Sequence, residues 1–136
     1  MYSDDDSMPP DYGFAKFLDN LRAGFSKFNI DVLSLDRNKE LLQEAGFEDI
    51  EEKVWKVPVG GWASDPKMKM VGRYNRCVIQ DALEGVSLAP YTRGLGWTPK
   101  EVEVFLVDVR KSLTNLRVHS YYTFHAVYGR KPLGTS

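Results

Sequence analysis

Apolar residues recur at three- and four-residue steps in several stretches of the chain and crowd together in others. Phe14, Phe17, Leu18, Leu21, Phe25 and Phe28 form one stripe, which predicts an amphipathic helix capped by Asp11 and running to about Phe28. A shorter helix is expected from about Asp36 to Ala45, with Leu41, Leu42 and Ala45 inward and Gly46 as a left-handed cap. Met68, Val71, Tyr74, Val78, Ala82 and Leu83 predict the inner face of a long helix over 65–84, followed by a loop from Gly85 to Thr92 containing Pro90. Thr98 and Glu101 then have the spacing of a capping box, Pro99 suits the first helical turn, and Trp97 can reach Val102 across that start as a hydrophobic staple. Val102, Phe105, Leu106, Val109 and Leu113 mark the buried face of the helix that follows.

Two stretches read as strands. Val54, Trp55 and Val57 favour extended chain from Asp49 to Val57, Pro58 ends it, and Gly60-Gly61 makes the loop beyond. From Val118 to Tyr128 aromatic and β-branched residues dominate. Tyr122, Phe124 and Tyr128 fall on one face of that strand, Tyr121 and Val127 on the other. A strand apolar on both faces belongs in the middle of a sheet. Yet the chain offers this pair of strands alone, and a lone ribbon is marginal in water. The pattern therefore implies a larger sheet than these residues contain. An open apolar edge templates pairing with another chain, so self-association or a protein partner is expected through Val118–Tyr128. The alternative is that residues 1–10 fold back over the edge, although Pro9, Pro10 and three aspartates are poor strand material.

Composition narrows the class. A chain of 136 residues is expected to form one domain, here residues 11–132, after an acidic, flexible lead-in (1–10) and before a short tail (133–136). Net charge is −1, which gives no electrostatic case for nucleic acid or an anionic membrane. Cys77 is the one cysteine, so neither an intrachain disulfide nor a thiolate zinc cluster can form, as suits the cytoplasm or the nucleus. The start, MYSDDDSMPP, lacks the apolar run of a secretory signal. No stretch approaches the roughly 20 apolar residues that span a bilayer.

The sequence RGLGWTPKEVEVFL (93–106) places two glycines before a helix, as nucleotide-binding loops do. It lacks a preceding strand and a third glycine, and Pro99 removes an amide that would face a phosphate. It reads as a tight turn. His119 and His125 lie six residues apart on one strand face, roughly 20 Å at strand spacing, so they cannot share a metal. Each reads as an ordinary strand histidine before a catalytic one, and adjacent Glu51 and Glu52 face opposite ways. Tyr91, Arg93 and Trp97 are better candidates. They sit in a loop held by glycines and a capped helix, and such loops often carry function. The plainer alternative makes Trp97 the staple and Arg93 a surface charge; Trp62, after the double glycine, stands in the same position.

The order helix, KELLQEAGFEDIEEKVWKVPVGGW, helix, LEGVSLAPYTRGLGWTPKEVEVFLVDVRKSL, YYTFHAVYGRKP resembles the C-terminal part of fungal class I S-adenosylmethionine-dependent methyltransferases of the LaeA-like group, found in secondary metabolism. The likeness covers about residues 11 to 132. It implies a partial α/β methyltransferase fold: an antiparallel pair formed by the family's sixth and seventh strands, packed with about four helices, and no cofactor-binding half. The seventh strand would lie between the sixth and a fifth, which accounts for its apolar faces. The family's glycine-rich loop and acidic ribose ligand match no residue of this sequence, so no cofactor residue is implied and the chain alone is expected not to bind S-adenosylmethionine. Trp62, Tyr91, Arg93 and Trp97 become candidate substrate-pocket positions. Three functions stay open: the substrate side of a methyltransferase, a non-catalytic partner that completes its sheet on another chain, or a small binder or enzyme for a hydrophobic metabolite without methyl transfer.

Overall fold

A computed structural model describes residues 1–32 and 34–134; the last two residues of the expected tail lie outside the described residues. The element order is α1 (Gly13–Ser26), a 3₁₀ turn (Ser34–Arg37), α2 (Asn38–Glu44), β1 (Glu48–Pro58), α3 (Pro66–Ala89), a π-helical turn (Pro90–Gly94), α4 (Pro99–Leu113) and β2 (Tyr121–Arg130). The architecture is mixed α/β, with β1 and β2 as an antiparallel two-stranded sheet. Among the described residues no helix is long and apolar enough to cross a membrane.

The helical body holds the core. Phe14 and Phe17 of α1, Leu83 of α3, Tyr91 of the π turn and Val102, Leu106, Val109 and Leu113 of α4 are all buried together. The inner face expected of α4 is thus observed, with Phe105 half-buried beside it. The capping box forms as predicted: the Thr98 hydroxyl accepts from the Glu101 amide and the Glu101 carboxylate accepts from the Thr98 amide. The ring partners of Trp97 are Tyr91 and Phe105, both edge-on, at 4.9 and 5.4 Å between centroids.

Several expectations need correction. Asp11 does not cap α1; Tyr12 holds the cap position without a side-chain bond, and Phe28 lies exposed beyond the helix end. Helix α2 buries none of its residues, and Leu41 and Ala45 face solvent, so its expected inner face joins no core among the described residues. Gly46 does take the left-handed conformation expected of it (φ +82°). Helix α3 runs through Gly85 to Ala89, where a loop was expected, and of its expected inner face Leu83 is buried and Met68, Val71 and Ala82 are half-buried, but Tyr74 and Val78 are not. Gly72, Leu83 and Ser87 are buried, whereas Tyr74 (69%) and Val78 (65%) are exposed. The helix tolerates Pro90 because the chain widens there into a π turn, with the Leu95 amide reaching back to the Pro90 carbonyl. This turn packs directly on α1: a Cβ on Gly94 would lie 2.7 Å from the Gly24 carbonyl oxygen, so the contact requires glycine.

The sheet is less covered than its apolar faces imply. Trp55 (48%) and Phe124 (56%) are paired across the strands, with ring centroids 6.1 Å apart, and both face solvent. Among the described residues β2 pairs only with β1, plus one antiparallel bridge from Tyr121 to Tyr2. Residues 1–10, expected to be flexible, are tied down through that bridge and through Asp4, Asp5 and Ser7. They cover the edge at Tyr121 and leave the rest of it bare.

Candidate functional site

In open, mostly parallel α/β sheets, ligands bind beyond the carboxyl ends of the strands; in this antiparallel pair the carboxyl end of β1 lies beside the amino end of β2, Pro58 opposite Tyr121. That end of β1 is Pro58, and the chain leaves it as Val59-Gly60-Gly61-Trp62. Close approach of α3 fixes this loop. The Gly60 amide donates to the Gly72 carbonyl (3.0 Å), and a Cβ on Gly72 would fall 1.9 Å from the Gly60 oxygen. Asn75 of α3 secures the strand end: its Nδ2 donates to the Pro58 carbonyl (2.9 Å), and its Oδ1 accepts from the Tyr122 hydroxyl (2.7 Å). Trp62 is oriented in turn. Its Nε1 donates to the Ser120 carbonyl at 3.0 Å, and its ring stacks on His119 at 5.0 Å.

Beside Trp62 lies a slot of about 220 Å³, lined among others by Asp4, Lys56, Pro58, Trp62, Met68 and Tyr121. Its polar groups come from the N-terminal segment, from the strand ends and, through Ser64 and Asp65, from the stretch that leads into α3. Lys56 Nζ lies 2.6 Å from one Asp4 oxygen, and the Tyr121 hydroxyl donates to the other at 2.7 Å. Lys56 Nζ also sits 4.7 Å over the Tyr121 ring. Lys56 and then Tyr121 hold the Asp4 carboxyl below the usual carboxylate range, and Asp4 raises the Lys56 ammonium and the Tyr121 hydroxyl in return. Behind Trp62, His119 Nδ1 meets Asp5 Oδ2 at 2.5 Å, and the His119 amide donates to the Ser7 hydroxyl at 2.8 Å. Ser7 and then His119 hold the Asp5 carboxyl well below its ordinary range.

The structure divides the predicted positions between two places. Trp62 walls the slot. Tyr91 is wholly buried, with its hydroxyl donating to the Phe17 carbonyl at 2.9 Å, and burial pushes that hydroxyl far above the usual tyrosine range. Trp97 packs on Tyr91 and rims a shallow groove with Phe105, Val104 and Thr98. Arg93 is exposed on the π turn. Trp62 shares neither a ring contact nor a cavity with these three among the described residues. Larger grooves run along the helical body, one of about 600 Å³ beside Asp11, Lys16 and Asp108 and one of about 710 Å³ beside Glu84, Lys100 and Arg110; neither lies at a strand end. His125 lies apart from His119, with Glu52 and Thr123 as its partners at 2.9 Å each. Among the described residues no cluster of three or more His, Cys, Asp or Glu side chains is placed to hold a metal ion.

Sequence reasoning missed Asp4, Lys56 and Tyr121. Strand alternation alone puts Lys56 on the side opposite Trp55 and Val57, hence opposite Tyr122 and Phe124, which pair with those faces. That signal was readable. The contribution of Asp4 was not, because its contacts lie 52 and 117 residues away along the chain.

Methyltransferase pytC of Aspergillus terreus is 32% identical over 132 residues, which are 97% of this chain and 41% of the relative. Secondary metabolism regulator LAE1 of Cochliobolus heterostrophus is 33% identical over 130 residues, covering 95% of this chain and 42% of the relative. Secondary metabolism regulator laeA of Monascus pilosus is 36% identical over 92 residues, 68% of this chain and 25% of that protein. No protein-family model and no solved structure matches the chain. The chain spans about two fifths of the length of pytC and LAE1. Over that span, the chain is similar to fungal methyltransferase pytC and to the secondary-metabolism regulators LAE1 and laeA.

Proposed function

We propose that these residues form the acceptor side of a LaeA-like methyltransferase fold. The slot at the carboxyl end of β1 receives the molecule to be methylated, and segments outside these residues hold S-adenosylmethionine. The observation that carries this reading is the slot itself: a tryptophan, a tyrosine ring, a methionine and a proline around a few convergent polar groups, at the strand end where such folds bind ligands. The cytoplasm or the nucleus suits a chain with one exposed thiol. The test is a chimera of pytC in which the matching 132 residues are replaced by this chain. The chimera should bind the methyl donor, and Trp62→Ala should depress methyl transfer with donor binding unchanged. Equal loss of both would contradict an acceptor role for Trp62. Calorimetric titration of the chain alone with S-adenosylmethionine should show no saturable heat; a tight, stoichiometric site would contradict the proposed division of labour.

A second reading, a partner subunit that completes its sheet on another methyltransferase-like chain or on a second copy, draws support from the bare edge of β2. Sedimentation velocity over a concentration series distinguishes the two. Association that Phe124→Lys weakens favours the partner role, and a monomer at every concentration counts against self-association.

A further inference from the structure

The polar end of the slot is already occupied by the chain itself. Lys56 Nζ and the Tyr121 hydroxyl converge on the two oxygens of one carboxylate, that of Asp4, at 2.6 and 2.7 Å. Asp4 does not belong to the strands that form the slot. It arrives on the N-terminal segment, which is pinned on either side by the Tyr2–Tyr121 bridge and by the bonds of Asp5 and Ser7 to His119. The rest of the lining is mostly apolar, with Pro58, Ala63, Met68 and the rings of Trp62 and Tyr121, and Ser64 and Asp65 add polar groups ahead of α3. A cation and a hydroxyl aimed at one point, at the end of a largely apolar slot, make a recognition set for a carboxylate on an apolar body.

The geometry points to Lys56 and Tyr121 as a carboxylate-binding pair, to a small aromatic carboxylic acid as the ligand of the slot, and to Asp4 as a built-in competitor that the ligand's carboxylate displaces. Size sets the ligand's scale. A slot of about 220 Å³ is smaller than pockets for drug-sized molecules, which begin at roughly 300 Å³, and suits a single ring with its acid group. Charge sets its sign. Lys56 Nζ and the Tyr121 hydroxyl are the two donors that converge on one point, whereas the Asp65 carboxylate of the same lining turns one oxygen to the Met68 amide, at 2.8 Å, as the cap of α3. The donors, by contrast, become free as soon as Asp4 swings out, and Asp4 is exposed enough to do so. A tethered competitor acts at a local concentration of order millimolar, so it weakens an external acid without excluding it. This inference rests on the acceptor-site reading, since it names the chemical class that the site takes.

The experiment is a two-dimensional NMR titration of the full chain with benzoate, following the indole N–H of Trp62, identified by its loss in Trp62→Phe. Benzamide, of the same shape and neutral, is the control. Asp4→Asn should bind benzoate saturably, about tenfold more tightly than the native chain. Lys56→Met should weaken binding at least about tenfold, the loss expected when a charge-assisted contact goes. Benzamide should leave the indole signal unmoved in every variant. Absence of a saturable shift with Asp4→Asn, equal responses to benzoate and benzamide, or an unaltered affinity in Lys56→Met would each overturn the inference. Should Lys56→Met fail to fold, Lys56→Gln carries the same test. Benzoate binding together with a pytC chimera that transfers no methyl group would contradict the acceptor reading and leave the carboxylate site standing. Methyl transfer to neutral acceptors without benzoate binding would do the reverse.

Discussion

The helical body and the sheet are built from equally apolar sequence, and they use it in opposite ways. In the body, the apolar faces of α1 and α4 meet around Tyr91, and Leu106, Val109 and Tyr91 are almost completely shielded from water. In the sheet, Val54, Trp55, Phe124 and Tyr128 face solvent, and the buried residues of the two strands are Pro58 and Tyr121, both at the slot end. The body buries one face each of α1 and α4, although Tyr74 and Val78 of α3 and Val104 and Val107 of α4 remain exposed. The sheet carries the side chains of an interior element without the neighbours that would make it one. What joins them is the slot end, where Gly72, Asn75 and the N-terminal segment lock strand to helix.

This contrast predicts an unequal response to substitution. Leu106→Ala in the body should cost about 2–5 kcal/mol, the usual range for emptying a packed core site, while Phe124→Ala in the sheet should stay within about 1. Urea melts of the two variants check this, and comparable losses would mean that the sheet is as well packed as the body. Gly72→Ala should cost about 1–3 kcal/mol, because its new methyl must push the Gly60 carbonyl aside. It should also shift the indole signal of Trp62, whereas Gly85→Ala, which meets no atom, should do neither. Trp97→Ala should destabilise by about 2 kcal/mol through lost packing on Tyr91 and Phe105, and Arg93→Ala by no more than about 0.5. Equal small effects would place Trp97 outside the core.

The smallest effect concerns pH. Asp4 and Asp5 titrate lower when docked than when free, so their contribution is complete above roughly pH 4 and is lost as pH falls through the lower, docked values. Lys56 and Tyr121 are raised, so their contribution persists through neutrality and disappears only above roughly pH 10. The N-terminal segment should thus remain docked from about pH 5 to about pH 9 and detach in strong acid. Chemical shifts of Tyr2 and Ser7 across that range provide the measurement, and detachment between about pH 7 and 5 would contradict it.

How much of this was legible in the sequence follows from the range of each signal. The capping box at Thr98, the inner face of α4 and the left-handed Gly46 depend on residues within a turn or two of one another, and local patterning found them. On α3, local patterning found Leu83 and the half-buried Met68, Val71 and Ala82, but not that the helix buries Gly72 and Ser87 against close neighbours and leaves Tyr74 and Val78 outside. The loop expected at Gly85 to Thr92 was misread because Pro90 normally ends a helix, and the π turn that absorbs it is stabilised by the fit of Gly94 on Gly24, a tertiary contact. Of the candidate site, Trp62 was legible from its place after the double glycine. Asp4, Lys56 and Tyr121 meet only through the fold, and the acidic start read as solvated lead-in.

Among the described residues β2 leaves one edge unpaired beyond Tyr121, and alternate amides of that strand report on it directly. The Tyr121 amide donates to Tyr2, away from β1, so the amides of Thr123, His125 and Val127 point toward the open side, while those of Tyr122, Phe124 and Ala126 point toward β1. Amide hydrogen exchange should be measured on a dilute sample that sediments as a monomer. We expect fast exchange at Thr123, His125 and Val127 and slower exchange at Tyr122, Phe124 and Ala126, with the fast set becoming protected in the pytC chimera. Equal protection of both sets in the dilute monomer would show that the edge is already covered and would contradict the account.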